Sequence, residues 1–435
     1  MVVWFGLLAS PLTVADSTGD GKQASESWGD SSWESDWEES PRSAFRVSGF
    51  VEGLAGTRTR DNPVIASDAT VMEARVRLES ADYLEQVFLS GKVDGYYDDV
   101  LNQWQGDIRE LLIALPVGTS VDLRVGRQVL TWGSGDLLFL NDLFAKDWQS
   151  FFAGRELEYL KAPANAVKVS YFNPLVNFDF IWTPQFTEDA VLTGERFSYF
   201  SPFNGQVVAA PPKLVSVKPD HDIENGEFTF RLYKQSGGLE GAVYGYRGFF
   251  KQPNAVEQAT GLPTFARLNA LGFSVQGALA SGIANLEGVW YDSEDDRKGG
   301  NPLIPNSQAR LLVGYQRELV THLSGALQAY LEWTQHHDRL ISNSLTPEYE
   351  ADEARVVMTA RLTHRALRDN LTTSCFLFWS PTEKDYFVLP SITYRIDDAL
   401  SYEVGARIFG GEDLHTFFGQ HENNSNVYAR LRYRF

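Results

Sequence analysis

The chain has 435 residues, with a single cysteine, Cys375, and three methionines. One thiol excludes an internal disulfide framework and a Cys-x-x-Cys-His haem attachment site within this chain. No charge-free apolar run reaches the roughly 18 residues a membrane-spanning helix requires, which excludes a helical inner-membrane protein. An excess of positive charge is also missing. The formal net charge is −19, whereas nucleic-acid binders carry a basic footprint, so no nucleic-acid partner is expected. There is no Gly-x-Ser-x-Gly elbow of the hydrolase kind. His336-His337-Asp338 is a local cluster without further ligands at zinc spacing. The sequence therefore points to a chain that is not an enzyme and needs neither cofactor nor metal.

What the sequence does have is alternation. Met72, Ala74, Val76 and Leu78 alternate with Glu73, Arg75, Arg77 and Glu79. Phe45, Val47, Gly49, Val51, Gly53 and Ala55 share one phase, while Arg46, Ser48 and Glu52 take the other. One such strand fits a soluble sandwich. Many of them, charged on the second face, fit lipid outside and water inside. Eighteen segments read this way. They lie near 43–58, 69–80, 85–97, 107–116, 119–130, 165–173, 175–183, 226–235, 238–249, 265–278, 281–292, 307–318, 321–336, 353–365, 370–380, 384–396, 399–410 and 425–435.

Short connections alternate with long ones, and only the link at 381–383 is short on the long side. Short turns at one rim and long loops at the other are the layout of a bacterial outer-membrane barrel. The expected fold is all-β: a transmembrane antiparallel β-barrel of about 18 strands over residues 43–435, with 16 as the runner-up. Long extracellular loops and one inward-folding loop complete it. Both chain ends fall on the short-turn, periplasmic side.

Residues 1–15 resemble an export signal with an apolar stretch, Val2–Ala9, but without the positive start of one. Residues 16–42 are polar and acidic, with eight acidic residues and one lysine between Asp16 and Ser40. Such a segment buries too little apolar area to offset its ordering entropy. It is expected to be a disordered periplasmic tail. Trp28, Trp33 and Trp37 interrupt it, as membrane-interface aromatics of a solvated tail or, in a sharper reading, as a periplasmic docking motif or a plug entering the barrel.

The stretch 131–164 is the longest interruption of the early strands, too long for a structureless loop. Asn141 or Asp142 can cap a helix there, with Phe144, Trp148, Phe151 and Phe152 at helical spacing as anchors against the inner wall. Asp136, Lys146, Asp147, Arg155, Glu156, Glu158 and Lys161 would then edge the pore as its constriction. A second long insert, 184–225, carries Phe186, Phe197, Tyr199, Phe200, Phe203 and His221 between prolines, and reads as an ordered lid.

On the polar faces of the strands, Arg75, Arg77, Arg124, Arg355, Arg361, Arg407, Arg430 and Arg432 form the candidate pore wall. Glu52, Glu73, Asp94, Asp122 and Glu403 share their phase. The arginines are either a basic lane for anionic solutes or members of Arg–carboxylate pairs that stiffen the wall. Arg127 faces lipid by strict alternation, so a bulge or an interfacial position is needed there.

Gly126-Arg127-Gln128 followed by Trp132-Gly133 resembles a pattern in proteobacterial porin-like families near the phosphate-selective and alginate-export porins, where such a strand precedes a long loop. Asn424-Ser425-Asn426-Val427-Tyr428 through Phe435 is similar to a porin closing strand. Ending on an aromatic after alternate apolar residues, it resembles the signal read by the barrel-assembly machinery, with Phe435 as its last residue. The resemblance implies an outer-membrane channel in a Gram-negative bacterium, embedded in outer-membrane lipids and passing small hydrophilic solutes by passive diffusion, anionic ones if the arginine lane is free. Two alternatives remain. One is a non-conducting barrel that serves as sheath or exit port of an export or electron-transfer complex. The other is an outer-membrane barrel hydrolase.

Overall fold

A computed structural model describes residues 46–435. The segments 1–15 and 16–42, with Trp28, Trp33 and Trp37, lie outside the described residues. The remainder forms one closed antiparallel sheet of 18 strands. These are β1 (Ser48–Arg58), β2 (Ala69–Leu84), β3 (Val87–Asp98), β4 (Gln103–Val117), β5 (Val121–Val129), β6 (Pro163–Tyr171), β7 (Asn177–Thr183), β8 (Glu227–Ser236) and β9 (Leu239–Phe249). They continue as β10 (Arg267–Leu279), β11 (Gly282–Ser293), β12 (Gln308–Val320), β13 (Leu323–Thr334), β14 (Ala354–Ala366), β15 (Leu371–Ser380), β16 (Asp385–Arg395), β17 (Leu400–Gly411) and β18 (Asn426–Arg434). Each strand pairs with its sequence neighbours. The ring shuts where β1 meets β18, with Glu52 opposite Arg432 and Ala55 opposite Ala429. Closure leaves no free sheet edge, which is what an apolar solvent demands of a β-structure.

The two faces invert the pattern of a water-soluble protein. Val76, Leu78, Ile113, Leu271, Phe273, Trp290, Leu327 and Leu431 point outward and are exposed. Glu52, Glu73, Arg75, Arg77, Asp94 and Glu287 point inward and are buried. An apolar outer surface wrapped around a charged interior is stable only with lipid outside. No helix among the described residues is long and apolar enough to cross a membrane.

Each of the eighteen expected segments holds one observed strand, with ends that differ by a few residues. The short link on the long-loop side spans Pro381 to Lys384. Around Arg127 the wall is irregular. The β3–β4 ladder slips between Lys92 and Val93, so that Glu110 and Ile108 stand opposite consecutive residues and Arg109 is the extra one. This bulge brings Asp107 within 3.6 Å of the Arg127 guanidinium, and Arg127 Nε donates to the Ile108 carbonyl at 2.5 Å. The charge that alternation would leave facing lipid is thereby partnered.

The interior is not empty. The insert between β5 and β6 turns into the barrel. A helix of six residues, α1 (Trp148–Ala153), is its best-formed part. The connection between β7 and β8 and the one between β17 and β18 pack on it from the long-loop rim. Phe197 from the first and Phe418 and His421 from the second join α1 in one buried apolar cluster or at its edge.

Candidate functional site

The site is the insert and the wall it touches. Helix α1 starts at Trp148 because Asp147 caps it, its carboxylate accepting from the Ser150 amide at 2.8 Å. It ends at Gly154, whose φ of +82° is the left-handed turn that glycine adopts without strain. A side chain there would run into the Tyr428 ring on β18, at 2.5 Å. The expectation of a cap at Asn141 or Asp142 is corrected. Asn141 and Asp142 have other partners, and the helix begins six residues after Asp142. Phe144 is therefore not on α1. It packs edge-on against Trp132 at 5.3 Å, in a separate cluster with Ala166, Ile181 and Tyr244.

Trp148, Phe151 and Phe152 are fully buried on α1. Phe151 and Phe152 stand edge-on to Phe387 of β16, at 5.5 and 5.7 Å, and Phe152 meets Phe409 of β17 at 5.1 Å. Phe387 and Phe409 are themselves stacked at 4.1 Å. This aromatic patch on the inner wall has no place in a purely water-lined lumen. Its use is to seat the helix. Trp148 Nε1 donates to Asp189 at 2.7 Å, and the Lys146 amide to the same carboxylate at 2.8 Å, which ties the second long insert to the first. Burial pushes the Asp189 carboxyl above its usual range, against these donors.

After α1 the insert is fastened by charge. Arg155 forms a two-pronged pair with Glu73 of β2, with Nε donating at 3.0 Å. Burial pulls the pKa of this guanidinium down, but the Glu73 carboxylate beside it outweighs burial and raises it above the ordinary arginine value. Glu158 accepts from Arg77 at 2.6 Å. Glu156 pairs with Arg432 of β18. Tyr159 donates to Asp94 of β3 at 2.7 Å and accepts from Arg77 at 2.9 Å. Arg109, the bulge residue of β4, donates to the Glu158 and Lys161 carbonyls at 2.9 and 2.8 Å. Arg407 donates to the Phe151 carbonyl at 3.0 Å, and Asn426 to that of Phe152 at 3.2 Å.

Before α1 the anchors are mostly neutral. Glu287, at the middle of β11, accepts from the Ser134 hydroxyl at 2.9 Å and from Asn141 Nδ2 at 2.8 Å. Asn285 donates to the Ser134 carbonyl at 2.8 Å, and Tyr291 to that of Leu140 at 2.8 Å. Gly272 of β10 lies so close to Asn141 that a Cβ on it would overlap the amide oxygen. The Asp136 amide donates to Gln328 of β13 at 3.0 Å, and the Asp136 carboxylate pairs with Arg361 of β14 at 2.9 Å. The insert thus crosses the lumen at mid-height and is held on opposite walls.

The structure therefore distributes the expected site residues as follows. Asp136, Arg155, Glu156 and Glu158 meet the wall by ion pairs. Asp147 caps α1, and Lys161 is half-buried. Lys146 is turned into the insert's own body, bonded to Asp142 at 2.9 Å and to the Phe144 carbonyl at 2.7 Å, rather than lying at the pore edge. Among the wall arginines, Arg75 pairs with Glu73 and Asp94 at 3.2 and 3.0 Å, and Arg77 with Asp94 at 2.6 Å. Arg430 pairs with Glu403 at 2.5 Å and Arg432 with Glu52 at 2.5 Å. Since Glu52 stands opposite both Arg75 and Arg432 in the ladders, one sector of the wall is an alternating charge lattice. Arg355 sits near the long-loop rim beside Glu383 at 2.7 Å. Arg124 faces inward on β5, in register with Ala114 and Lys168, away from the insert.

Comparison with known proteins locates the fold. The structure is similar to that of Acinetobacter baumannii OccAB3, with a TM-score of 0.54 and 10% identity over 90% of this chain and 99% of the other. OccAB4 of the same organism gives 0.53 and 10% over 91% and 99%. OccAB2 gives 0.52 and 9% over 89% and 97%. At such identity the shared property is the barrel architecture. No family model matches the chain, and no curated protein matches it in sequence.

Glu287, Gln328, Tyr291 and the inner-wall aromatics were not singled out from the sequence. Glu287 is a lone carboxylate on its strand's inner face, with no charged partner to announce it. Phe376 and Phe378 alternate with Leu377 and Trp379, so β15 is apolar on both faces and offers no periodicity to separate lumen from lipid.

Proposed function

We propose that the chain is an outer-membrane channel of a Gram-negative bacterium for passive diffusion of small hydrophilic solutes, with the 131–164 insert as its constriction. The carrying observation is the insert itself. It crosses the lumen of a lipid-facing barrel at mid-height and is fixed by paired charges to one wall and by hydrogen bonds to the other. A narrow section built from a rigidly held segment is how such barrels set a size limit. The similarity of fold to OccAB3 supports the barrel, and the porin-like pattern at Gly126–Gly133 supports the outer-membrane setting. The Trp28–Trp37 tail is proposed as a periplasmic contact, and Phe435 as the residue offered to the assembly machinery.

An anion preference would need arginines whose charge is available to solute. Arg75, Arg77, Arg430 and Arg432 each have a carboxylate partner, which favours the wall-stiffening role. A second reading has one observation behind it. The aromatic packing of α1 against Phe387 and Phe409 fills lumen that water would otherwise occupy, which favours a barrel that does not conduct until the insert moves or a partner engages.

Planar-bilayer recording of purified protein tests both. Stable ohmic conductance, raised several-fold by deleting Asp136–Lys161, is the expected result. Conductance unchanged by the deletion would place the constriction elsewhere. Silence in both proteins would sink the channel reading and favour the partner role.

A further inference from the structure

A cavity of about 210 Å³ lies at the long-loop rim, away from the insert. The turn after β13 supplies Tyr349, Glu350 and Asp352, the β15–β16 link supplies Glu383, and the β17–β18 connection supplies Asp413 and His415. Phe200 from the β7–β8 connection closes one side. Three rings stand together there: Phe200 and Tyr349 edge-on at 5.0 Å, and His415 at 5.6 Å from Tyr349.

The charges are unbalanced. Arg355 lines the cavity but is paired with Glu383 at 2.7 Å, so these two neutralise each other. Lys384 is turned to Glu412 at 2.6 Å, both well exposed. That leaves Glu350, Asp352 and Asp413, for which no ion pair occurs among the described residues. One Glu350 oxygen accepts from the Ser344 hydroxyl at 2.6 Å. The other, Oε2, is buried with no hydrogen-bond partner among the described residues. A buried carboxylate oxygen without a donor is costly unless something else completes it. Aromatic faces beside carboxylates are the chemistry that holds an organic ammonium: the rings attract the cation through their quadrupoles and the carboxylates balance its charge. The connections at this rim other than the insert also carry far more carboxylates than lysines and arginines, which raises the local concentration of cations.

We propose that this cavity is a binding site for a small organic cation bearing an ammonium group. Glu350, Asp352 and Asp413 neutralise the ligand and Tyr349 with Phe200 forms its apolar wall. The site does not depend on the barrel conducting, so its test avoids current. Choline is the probe, with acetate and glucose as controls, presented to the full-length protein in detergent. Saturation-transfer NMR and equilibrium dialysis read the binding. Choline should bind saturably, with transfer to its N-methyl protons, and the controls should not.

The double variant Asp352→Asn/Asp413→Asn lies on exposed loop positions and should keep the heat-modifiable migration of a folded barrel. It should weaken choline binding at least ten-fold. Tyr349→Ala should weaken it further than Tyr349→Phe does. Absence of saturable choline binding to the wild-type protein would overturn the proposal, as would equal affinity in the folded double variant. Equal binding of acetate would overturn its sign.

Discussion

The two ends of the insert are held in different ways. The segment after α1 meets β2 and β18 through opposite charges: Arg155 on Glu73, Glu158 on Arg77, Glu156 on Arg432. The segment before α1 meets β10, β11 and β13 through carbonyls, amides and hydroxyls, with Glu287 as the lone charge and a single ion pair, Asp136–Arg361, further round. The charged side is all or nothing. Arg155 and Glu73 were desolvated together, so losing one strands the other, whereas Glu156 and Glu158 stay partly in water. The neutral side is many modest bonds, each worth about 1 kcal/mol, so it loosens by degrees. An insert with one brittle side and one yielding side has a natural axis of movement about the brittle one.

Breaking the charged side should have the largest effect. Glu73→Ala leaves Arg155 buried without its main partner, a loss of about 3–5 kcal/mol for such pairs. Unit conductance should rise and fluctuate, while heat-modifiable migration of the barrel stays normal, because the wall's hydrogen bonds close without the insert. Conductance indistinguishable from wild type would show that the charged side does not hold the constriction.

Trp148→Ala removes a fully buried ring from α1, again about 3–5 kcal/mol, part of which the remaining aromatics recover by repacking. The expected result is a wider but less noisy channel than with Glu73→Ala. Loosening of the neutral side by Glu287→Gln should cost less, about 1–3 kcal/mol, because one oxygen acceptor remains and one is replaced by a donor. It should appear as more frequent brief openings without a new conductance level. If it instead equals Glu73→Ala, the asymmetry is refuted.

His421 sharpens the comparison from above. Burial pushes its pKa down to about 3, so the folded ring stays neutral where the unfolded one takes a proton. The sign follows. Below about pH 6.5 the unfolded state binds more protons, so stability is complete above that pH and falls as the solution is acidified toward pH 3. The loss between pH 6.5 and 5 is roughly 1–2 kcal/mol. Urea unfolding at the two pH values should show that difference in wild type and a smaller one in His421→Gln. Smallest of all, removing a whole pair, Arg430→Gln with Glu403→Gln, should leave the reversal potential in a salt gradient nearly unchanged, because the two charges cancel and are lost together. A clear shift toward cations would instead restore the basic lane.

The wall was readable in the sequence because lipid imposes a period of two on strands such as Met72–Glu79, and because turn lengths alternate. Closure of β1 on β18 followed from the even count. The insert was readable as an interruption with an aromatic stripe, but not in detail. Helical spacing from Phe144 to Phe152 is present in the sequence, yet Phe144 packs on Trp132 and the Lys146 amide is spent on Asp189, and only Trp148 onward is helical. Which arginine meets which carboxylate depends on register, whether 17 residues apart as for Arg77 and Asp94 or 380 as for Arg432 and Glu52, and alternation fixes phase without fixing register. The inner aromatics of β15 were hidden because both of its faces are apolar.

The clasp between Glu156 and Arg432 also has a consequence for how the chain reaches its native state. Arg432 lies on the last strand, and its other partner, Glu52, lies on the first, 380 residues earlier. The Glu156 clasp therefore closes only after the two ends of the chain have met, later than the pairs that Arg155 and Glu158 make with β2. Contacts of such long range form late, since the intervening chain must be ordered first. The proposed channel would then pass through a closed ring with an incompletely fastened insert, wider than the native channel until that clasp forms. A pulse of release of a dye too large for the native constriction, ending while small ions still pass, is the time signature of that order of events.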